Sequence, residues 1–373
     1  MTTNTDRWRW VVAGGGTGGH VTPALALAER IEARGDAVLF VGSERGLETR
    51  LVPEAGIDFV ALPAQQIMGR GVAARVAAVP AIARACVAAW KQLAVFRADI
   101  VISVGGYASV PAVVAAFLRR IPVALVEPNA VPGRANRAAA RVARHIFVQF
   151  DAAAEIFAGL TDRDRVHTLG IPLRLRLVEK FEGRPPRRLP GPPFRLLVFG
   201  GSQGARQINE AMTNAAPALR EARVTVFHQT GAADRDRVAA AYADAGVEAT
   251  VVEFERNMPD RYHWADLAVC RSGALTVAEL ALAGLPAIFV PYPYAADDHQ
   301  AMNARALADA GAARVLESRS LTPDVLVATL RELLAEPERL RAMGVATAKF
   351  GRPRAADEII RCCAAVLAGS ERR

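Results

Sequence analysis

The chain has 373 residues, 52% hydrophobic and 23% charged, enough for two domains of ordinary size, each with a substantial core. Cys86, Cys270, Cys362 and Cys363 show neither metal-type spacing nor a disulfide framework, and residues 1–10 lack a signal-peptide core. No apolar run reaches the roughly 18 residues a membrane span needs, so the expectation is a cytosolic chain, soluble or lying on a surface. The net charge of +8 is uneven: residues 59–150 hold eleven Lys and Arg against Asp99 and Glu127 alone. Such a stretch calls for an anionic partner, whether nucleic acid, phospholipid surface or phosphorylated substrate, unless it reflects an arginine- and alanine-rich genome.

Short apolar runs alternate with longer alanine-rich segments of helical period. Strands are expected at 8–13, 37–41, 100–104, 122–126, 145–149 and, briefly, 166–169. A second series follows at 194–199, 224–229, 266–270 and 286–290. The alternation implies βαβ units and parallel sheets. Because the series restarts near residue 194, two doubly wound α/β domains are favoured over one (β/α)8 barrel. The boundary falls either in the breaker-rich segment 183–193 (GRPPRRLPGPP) or at Gly170-Ile171-Pro172, and the last helix, 354–367, fits either half.

The first turn, Gly14-Gly15-Gly16-Thr17-Gly18-Gly19-His20, follows a strand and opens a helix. Gly14, Gly16 and Gly19 satisfy G-x-G-x-x-G. Glycines let the backbone approach a ligand, and the helix N-terminus offers N–H groups to an anion. A dinucleotide site also needs an acid at the end of the second strand, and that strand ends in Gly42-Ser43 with Glu44 only beyond it. Further on, Val72, Val76, Val79, Ala83, Cys86, Trp90 and Leu93 recur at helical spacing, with Arg75, Arg84 and Lys91 between them. Pro80 is expected to interrupt the helix. An apolar strip with basic flanks over 67–90 suits an anionic membrane surface; a core-facing stripe is the equal alternative.

The second turn is Gly200-Gly201-Ser202-Gln203-Gly204, a matched position in the second series. A third segment runs from Cys270 to Glu279. Here Ser272 can cap, and the N–H groups of Ala274, Leu275 and Thr276 open a helix suited to a diphosphate. Glu279 lies alone in an apolar helix, where a carboxylate can accept from both ribose hydroxyls. The loop after the next strand brings Pro291-Tyr292-Pro293, Asp297, Asp298, His299, Gln300 and Asn303, groups that suit a polyhydroxylated ligand. No paired His spacing points to a metal.

The segments GGGTGGHVTPALALAE, VGGYASVP, EPNAVPGRAN, FGGSQGARQIN, CRSGALTVAEL and DDHQAMNA together resemble the MurG family, in order over residues 11–315. The resemblance implies a GT-B glycosyltransferase, two Rossmann-like domains facing across a cleft, without cofactor or metal. It implies inverting transfer of N-acetylglucosamine from UDP-N-acetylglucosamine to undecaprenyl-diphospho-N-acetylmuramoyl-pentapeptide (lipid I to lipid II). It places the chain on the cytoplasmic face of the inner membrane, with anionic lipid and other cell-wall synthesis proteins as partners and no nucleic acid.

The implied domains are 1–169 for acceptor and membrane, 170–350 for the UDP-sugar, and a helix at 351–373 packing back on the first domain. On the donor side stand Ala274, Leu275, Thr276, Glu279, Phe254 with the Glu255 backbone, His299, Gln300, Ser202 and Arg174, with Thr17, Gly18, Gly19 and Asn129 also reaching it. On the acceptor side stand Thr17, His20, Tyr107, Glu127 and Asn129. His299 replaces a usual glutamine, Ile171 a usual asparagine, and Pro128 the middle residue of EQN.

Histidine titrates near neutrality, which makes His20 the candidate base, with Glu127 its rival. Arg174 and helix N-termini are expected to stabilise the leaving diphosphate. Rival readings are another GT-B enzyme with a lipid acceptor, an NAD-dependent oxidoreductase on the first turn alone, and a nucleic-acid-binding module on charge alone.

Overall fold

The computed structural model describes residues 8–64, 72–185, 187–201 and 204–370. It divides the chain into two units, Met1–Leu175 with Pro353–Arg373, and Arg176–Arg352. The first holds β1 (Arg9–Gly14), β2 (Ala37–Ser43), β3 (Phe59–Leu62), β4 (Ile100–Gly105), β5 (Val123–Glu127), β6 (His145–Val148) and β7 (Val166–Thr168). The second holds β8 (Phe194–Phe199), β9 (Val224–Gln229), β10 (Ala249–Val252), β11 (Leu267–Cys270), β12 (Ala287–Phe289) and β13 (Ala313–Val315).

The strand orders are β3-β2-β1-β4-β5-β6-β7 and β10-β9-β8-β11-β12-β13, and the described pairings are parallel. Two open, doubly wound α/β sheets replace the barrel alternative. Central strands such as β4 are buried throughout because helices cover both faces, which is why they read as unbroken apolar runs. Each order reverses once, between β1 and β4 and between β8 and β11. Ligands bind open α/β sheets at such reversals, outside the carboxyl ends of the strands.

Three strands escaped the sequence reading: β3, β10 and β13. All lie at sheet edges and are only three or four residues long, with half-exposed positions that dilute the apolar signal. The breaker-rich segment 183–193 lies inside the second unit, leading into β8, and the division falls just past Pro172. The terminal helix Ala355–Ser370 belongs to the first unit. It buries Ile359, Ile360, Cys363 and Leu367 and packs on the helix Gly18–Ala33, where Arg30 forks onto Asp357 with both bonds at 2.9 Å.

Pro80 does not interrupt its helix, which runs from Val72 to Phe96. The proline removes one i→i−4 bond, and the turns beyond it are held by a buried face of Ala85, Ala89 and Leu93. Leu93 is thus a core residue, whereas Trp90 of the same expected strip is exposed, as is Val87 beside it. Of the expected patch 67–90, residues 67–71 lie outside the described residues, as do the side chains through 79. Among the described residues no helix is long and apolar enough to cross a membrane.

Candidate active site

In the first unit the β1–β4 register shifts between Ala13 and Gly14 and sets Gly14 opposite Gly105. Gly105 and Gly106 take φ of +91° and +80°. A Cβ on Gly106 would stand 2.5 Å from the Gly15 carbonyl, so that turn requires a bare glycine, and the His20 ring packs beside both glycines. His20 Nδ1 lies 3.1 Å from Thr17 Oγ1. The Tyr107 ring covers Gly16, and its hydroxyl lies 3.2 Å from Ser43 Oγ. Thr17, Gly18, Gly19, His20 and Tyr107 therefore form one group.

Two buried carboxylates hold this group. Glu48, missed by the sequence reading, accepts from the Gly16 amide at 3.0 Å through Oε2 and from the amide and hydroxyl of Ser43 through Oε1. A Cβ on Gly15, Gly42 or Gly46 would lie within 2.5 Å of it, so the surrounding glycines are the mould of its side chain. Glu127 is 1% exposed. Its Oε1 accepts from the amide and side chain of Asn129, and its Oε2 from the amide of Gly133 and the side chain of Asn136. Burial raises its pKa and these hydrogen bonds oppose the rise. With both oxygens engaged, Glu127 braces its loop. Asn136 extends the brace to Gly105, lying 3.1 Å from where a Cβ would stand there.

Arg174 lies in the first unit, where its guanidinium pairs with Glu29 of the helix Gly18–Ala33 at 2.7 Å.

In the second unit the helix Ala274–Ala283 starts after Gly273 with no side-chain cap. Ser272 does not cap it: its hydroxyl donates to the Gln300 carbonyl at 2.7 Å. The first-turn amides, those of Leu275 and Thr276 among them, thus end a helix whose dipole favours an anion. Glu279, one and a half turns further, accepts at 2.6 Å from the Tyr262 hydroxyl through Oε2, leaving Oε1 for another donor. Burial pushes its pKa up to about 7, against the lowering by Tyr262.

The neighbouring loop is fixed by Arg271, which donates to the carbonyls of Val290 and Pro291 and to Ser318 Oγ. Gln300 Oε1 accepts from the Tyr292 amide at 3.0 Å, and Asn303 donates to the Ser272 carbonyl. Asp297 and Asp298 both take left-handed φ, 50° and 55°, immediately before His299. Two consecutive non-glycine residues there store backbone strain beside the expected sugar contacts.

Gln229, at the end of β9, was also missed. Its side chain donates to the Gly201 carbonyl and accepts from the Glu255 amide, both at 2.9 Å, so one amide bridges the second glycine turn and the expected uracil loop. The Glu255 N–H is thereby engaged, and its carbonyl is the backbone group left for a base. Its carboxylate is held below the usual range: burial raises it, but the Asn257 amide and the Arg261 guanidinium outweigh that. Phe254 is 56% exposed. Beneath, buried His228 joins Tyr242 and Asn209, and Asn209 donates to the Thr230 carbonyl against which Gly204 packs. Ser202 lies outside the described residues. Glu48 and Gln229 carry no motif signal, since each is legible only once the fold brings distant turns together. Among the described residues no three His, Cys, Asp or Glu side chains are grouped to hold a metal ion.

Residues 10–148 match the glycosyltransferase family 28 N-terminal domain and residues 195–359 its C-terminal domain. An Anaeromyxobacter protein (strain Fw109-5) is 44% identical over 96% of this chain and 93% of its own length. A Myxococcus xanthus protein is 42% identical over 95% and 91%. Both are named UDP-N-acetylglucosamine--N-acetylmuramyl-(pentapeptide) pyrophosphoryl-undecaprenol N-acetylglucosamine transferase. The crystal structure of Acinetobacter baumannii MurG superposes with a TM-score of 0.77 at 31% identity, covering 95% of this chain and 98% of that one. With both family 28 domains in order and near-complete coverage by these relatives, the chain belongs to the MurG family of glycosyltransferases.

Proposed function

We propose that the chain transfers N-acetylglucosamine from UDP-N-acetylglucosamine to undecaprenyl-diphospho-N-acetylmuramoyl-pentapeptide with inversion. The observation that carries this reading is 44% identity, over 96% of the chain, to a relative named for that reaction.

The donor belongs to the second unit. The first-turn amides of Ala274, Leu275 and Thr276 receive the diphosphate and stabilise the charge that grows on it as UDP leaves. Glu279 Oε1 takes a ribose hydroxyl while Tyr262 holds Oε2. Phe254 stacks on uracil and the Glu255 carbonyl accepts from it. His299 and the free side of the Gln300 amide face the sugar.

The acceptor belongs to the first unit. One new C–O bond forms at the anomeric carbon as its bond to diphosphate breaks, and the acceptor hydroxyl gives its proton to His20. That role requires Nδ1–H donated to Thr17 Oγ1, leaving Nε2 as the basic nitrogen. Tyr107 and Asn129 position the acceptor, and Glu127 holds the loop that carries Asn129.

A lipid-linked acceptor calls for contact with a membrane, here the cytoplasmic face. Val87, Trp90, Val114, Phe117 and Leu118 are exposed on two helices packed together, Val72–Phe96 and Val110–Leu118. Arg119 stacks on Trp90 at 4.7 Å, with Arg84, Lys91 and Arg120 on the same two helices or just beyond them. Apolar side chains ringed by cations suit an anionic bilayer. The paired substitutions Phe117→Ser and Leu118→Ser should weaken binding to phosphatidylglycerol vesicles about tenfold, and unchanged sedimentation would remove the patch from the reading. The reaction itself is tested by product analysis with radiolabelled UDP-N-acetylglucosamine and a lipid-diphosphate acceptor; no labelled lipid disaccharide refutes it.

A further inference from the structure

Arg184, Pro185, Arg187, Arg188 and Pro190 of the breaker-rich segment wall a recess of about 780 Å³ within the second unit. Its lining includes Arg195, Asp266 and Pro286, at the amino ends of β8, β11 and β12. The Gly200 and Arg271 turns follow the carboxyl ends of these strands, so the recess and the proposed donor site lie on opposite edges of one sheet. A six-residue strand such as β8 separates such edges by about 20 Å.

Five arginines line this recess against one carboxylate, Asp266. They are not equivalent. Arg187 donates to the carbonyls of Tyr262, His263, Ala265 and Ala283, at the C-terminal ends of two helices, and acts as a brace. Asp266 is spent on Arg188 and on the Arg195 amide.

Of the other three guanidiniums, only Arg341 has a carboxylate within ion-pair distance among the described residues. Arg184 bonds His263 Nδ1 and lies 5.7 Å from the Phe181 ring, Arg341 is 3.9 Å from Glu338, and among the described residues no hydrogen bond is made by the Arg195 side chain. The positive field is felt by His263, whose pKa is lowered by burial first and then by Arg184, Arg187, Lys180 and Arg195. Trp264, Leu340 and Val345 give the recess an apolar floor.

We propose that this recess binds a small organic phosphate bearing an apolar group. The phosphate would lie on Arg184, Arg195 and Arg341 and the apolar part on Trp264, Leu340 and Val345. Guanidinium forks match phosphate geometry, and the volume is that of a small-molecule pocket rather than a protein interface. The ligand can be a soluble phosphate or a lipid headgroup.

The test is calorimetric titration of the full chain with 1-naphthyl phosphate in excess UDP, which occupies the donor site. Saturable one-to-one binding is expected, weakened at least tenfold in Arg195→Gln/Arg341→Gln and in Val345→Asp, and unchanged in Arg235→Gln. Competition by monomeric dihexanoyl phosphatidate assigns a headgroup, and binding without such competition assigns a soluble phosphate. The proposal is overturned by absence of saturable heat, or by unchanged affinity in both recess variants at wild-type melting temperature. UDP binding is titrated separately, so failure at the donor site and failure at this recess are read apart.

Discussion

The two glycine-rich turns hold the same place in the same topology, after the first strand of each unit, yet their surroundings differ in charge. At the first, buried Glu48 already sits on the Gly16 amide and ties it to the end of β2. At the second, the side chain bonded to the turn among the described residues is the neutral amide of Gln229, which leads on to the Glu255 loop. A carboxylate at a helix entrance satisfies the N–H groups and repels a further anion; a neutral amide leaves the entrance open to one. A G-x-G-x-x-G turn therefore specifies a backbone shape, and the side chain that bonds to it decides what the shape can receive. From the helix that follows β2, the Glu48 carboxylate bonds Ser43 at the end of the second strand, the region where a dinucleotide fold keeps its ribose acid, but it is turned inward.

The largest effect that tests this contrast is at His20. His20→Ala should lower kcat about 10²- to 10⁴-fold, the usual worth of a general base, and leave the donor Kd unchanged. A parallel loss of donor affinity would make the first turn a donor site and collapse the distinction.

Next comes Glu48→Ala, which strips the acceptor from one buried amide, one part-buried amide and a hydroxyl. A loss of about 3 kcal/mol in urea unfolding is expected. A neutral result would mean that water replaces the carboxylate and that the turn is open. Gln229→Ala should cost only about 1–2 kcal/mol, since its two bonds are neutral, but should raise the donor KM by loosening the Glu255 loop. An unchanged KM would leave Gln229 a purely structural residue.

The central strands and both turns were legible because burial on two faces writes long apolar runs, and positive φ writes glycine. The edge strands β3, β10 and β13 were not, being short and half exposed. At the site, the grouping of Thr17, His20 and Tyr107 followed from the family resemblance. The partners that fix these residues did not follow. Glu48 reads as one acid in a helical stretch, and Gln229 as the last residue of a strand; their roles exist only in hydrogen bonds across turns remote in sequence. Likewise the pairing of Arg174 with Glu29 was not legible, since the two residues lie far apart in sequence.

The smallest effect expected is the pH response of Glu279, and it carries two opposite signs. Its folded pKa is raised from 4.5 to about 7 by burial. Between those values the folded chain keeps a proton that the unfolded chain has lost, so this group's contribution to stability falls as pH rises from 5 to 7. Donor binding runs the other way. A ribose hydroxyl donates better to a carboxylate than to a carboxylic acid, so affinity for UDP-N-acetylglucosamine should rise as Glu279 ionises and level off above pH 7. Each unit below that should cost at most about tenfold in Kd. Calorimetry of the donor from pH 6 to 8, beside melting curves over the same range, measures both slopes. Glu279→Gln should flatten both at once, whereas a wild-type Kd independent of pH would remove Glu279 from the ribose and leave its bond to Tyr262 as its whole role.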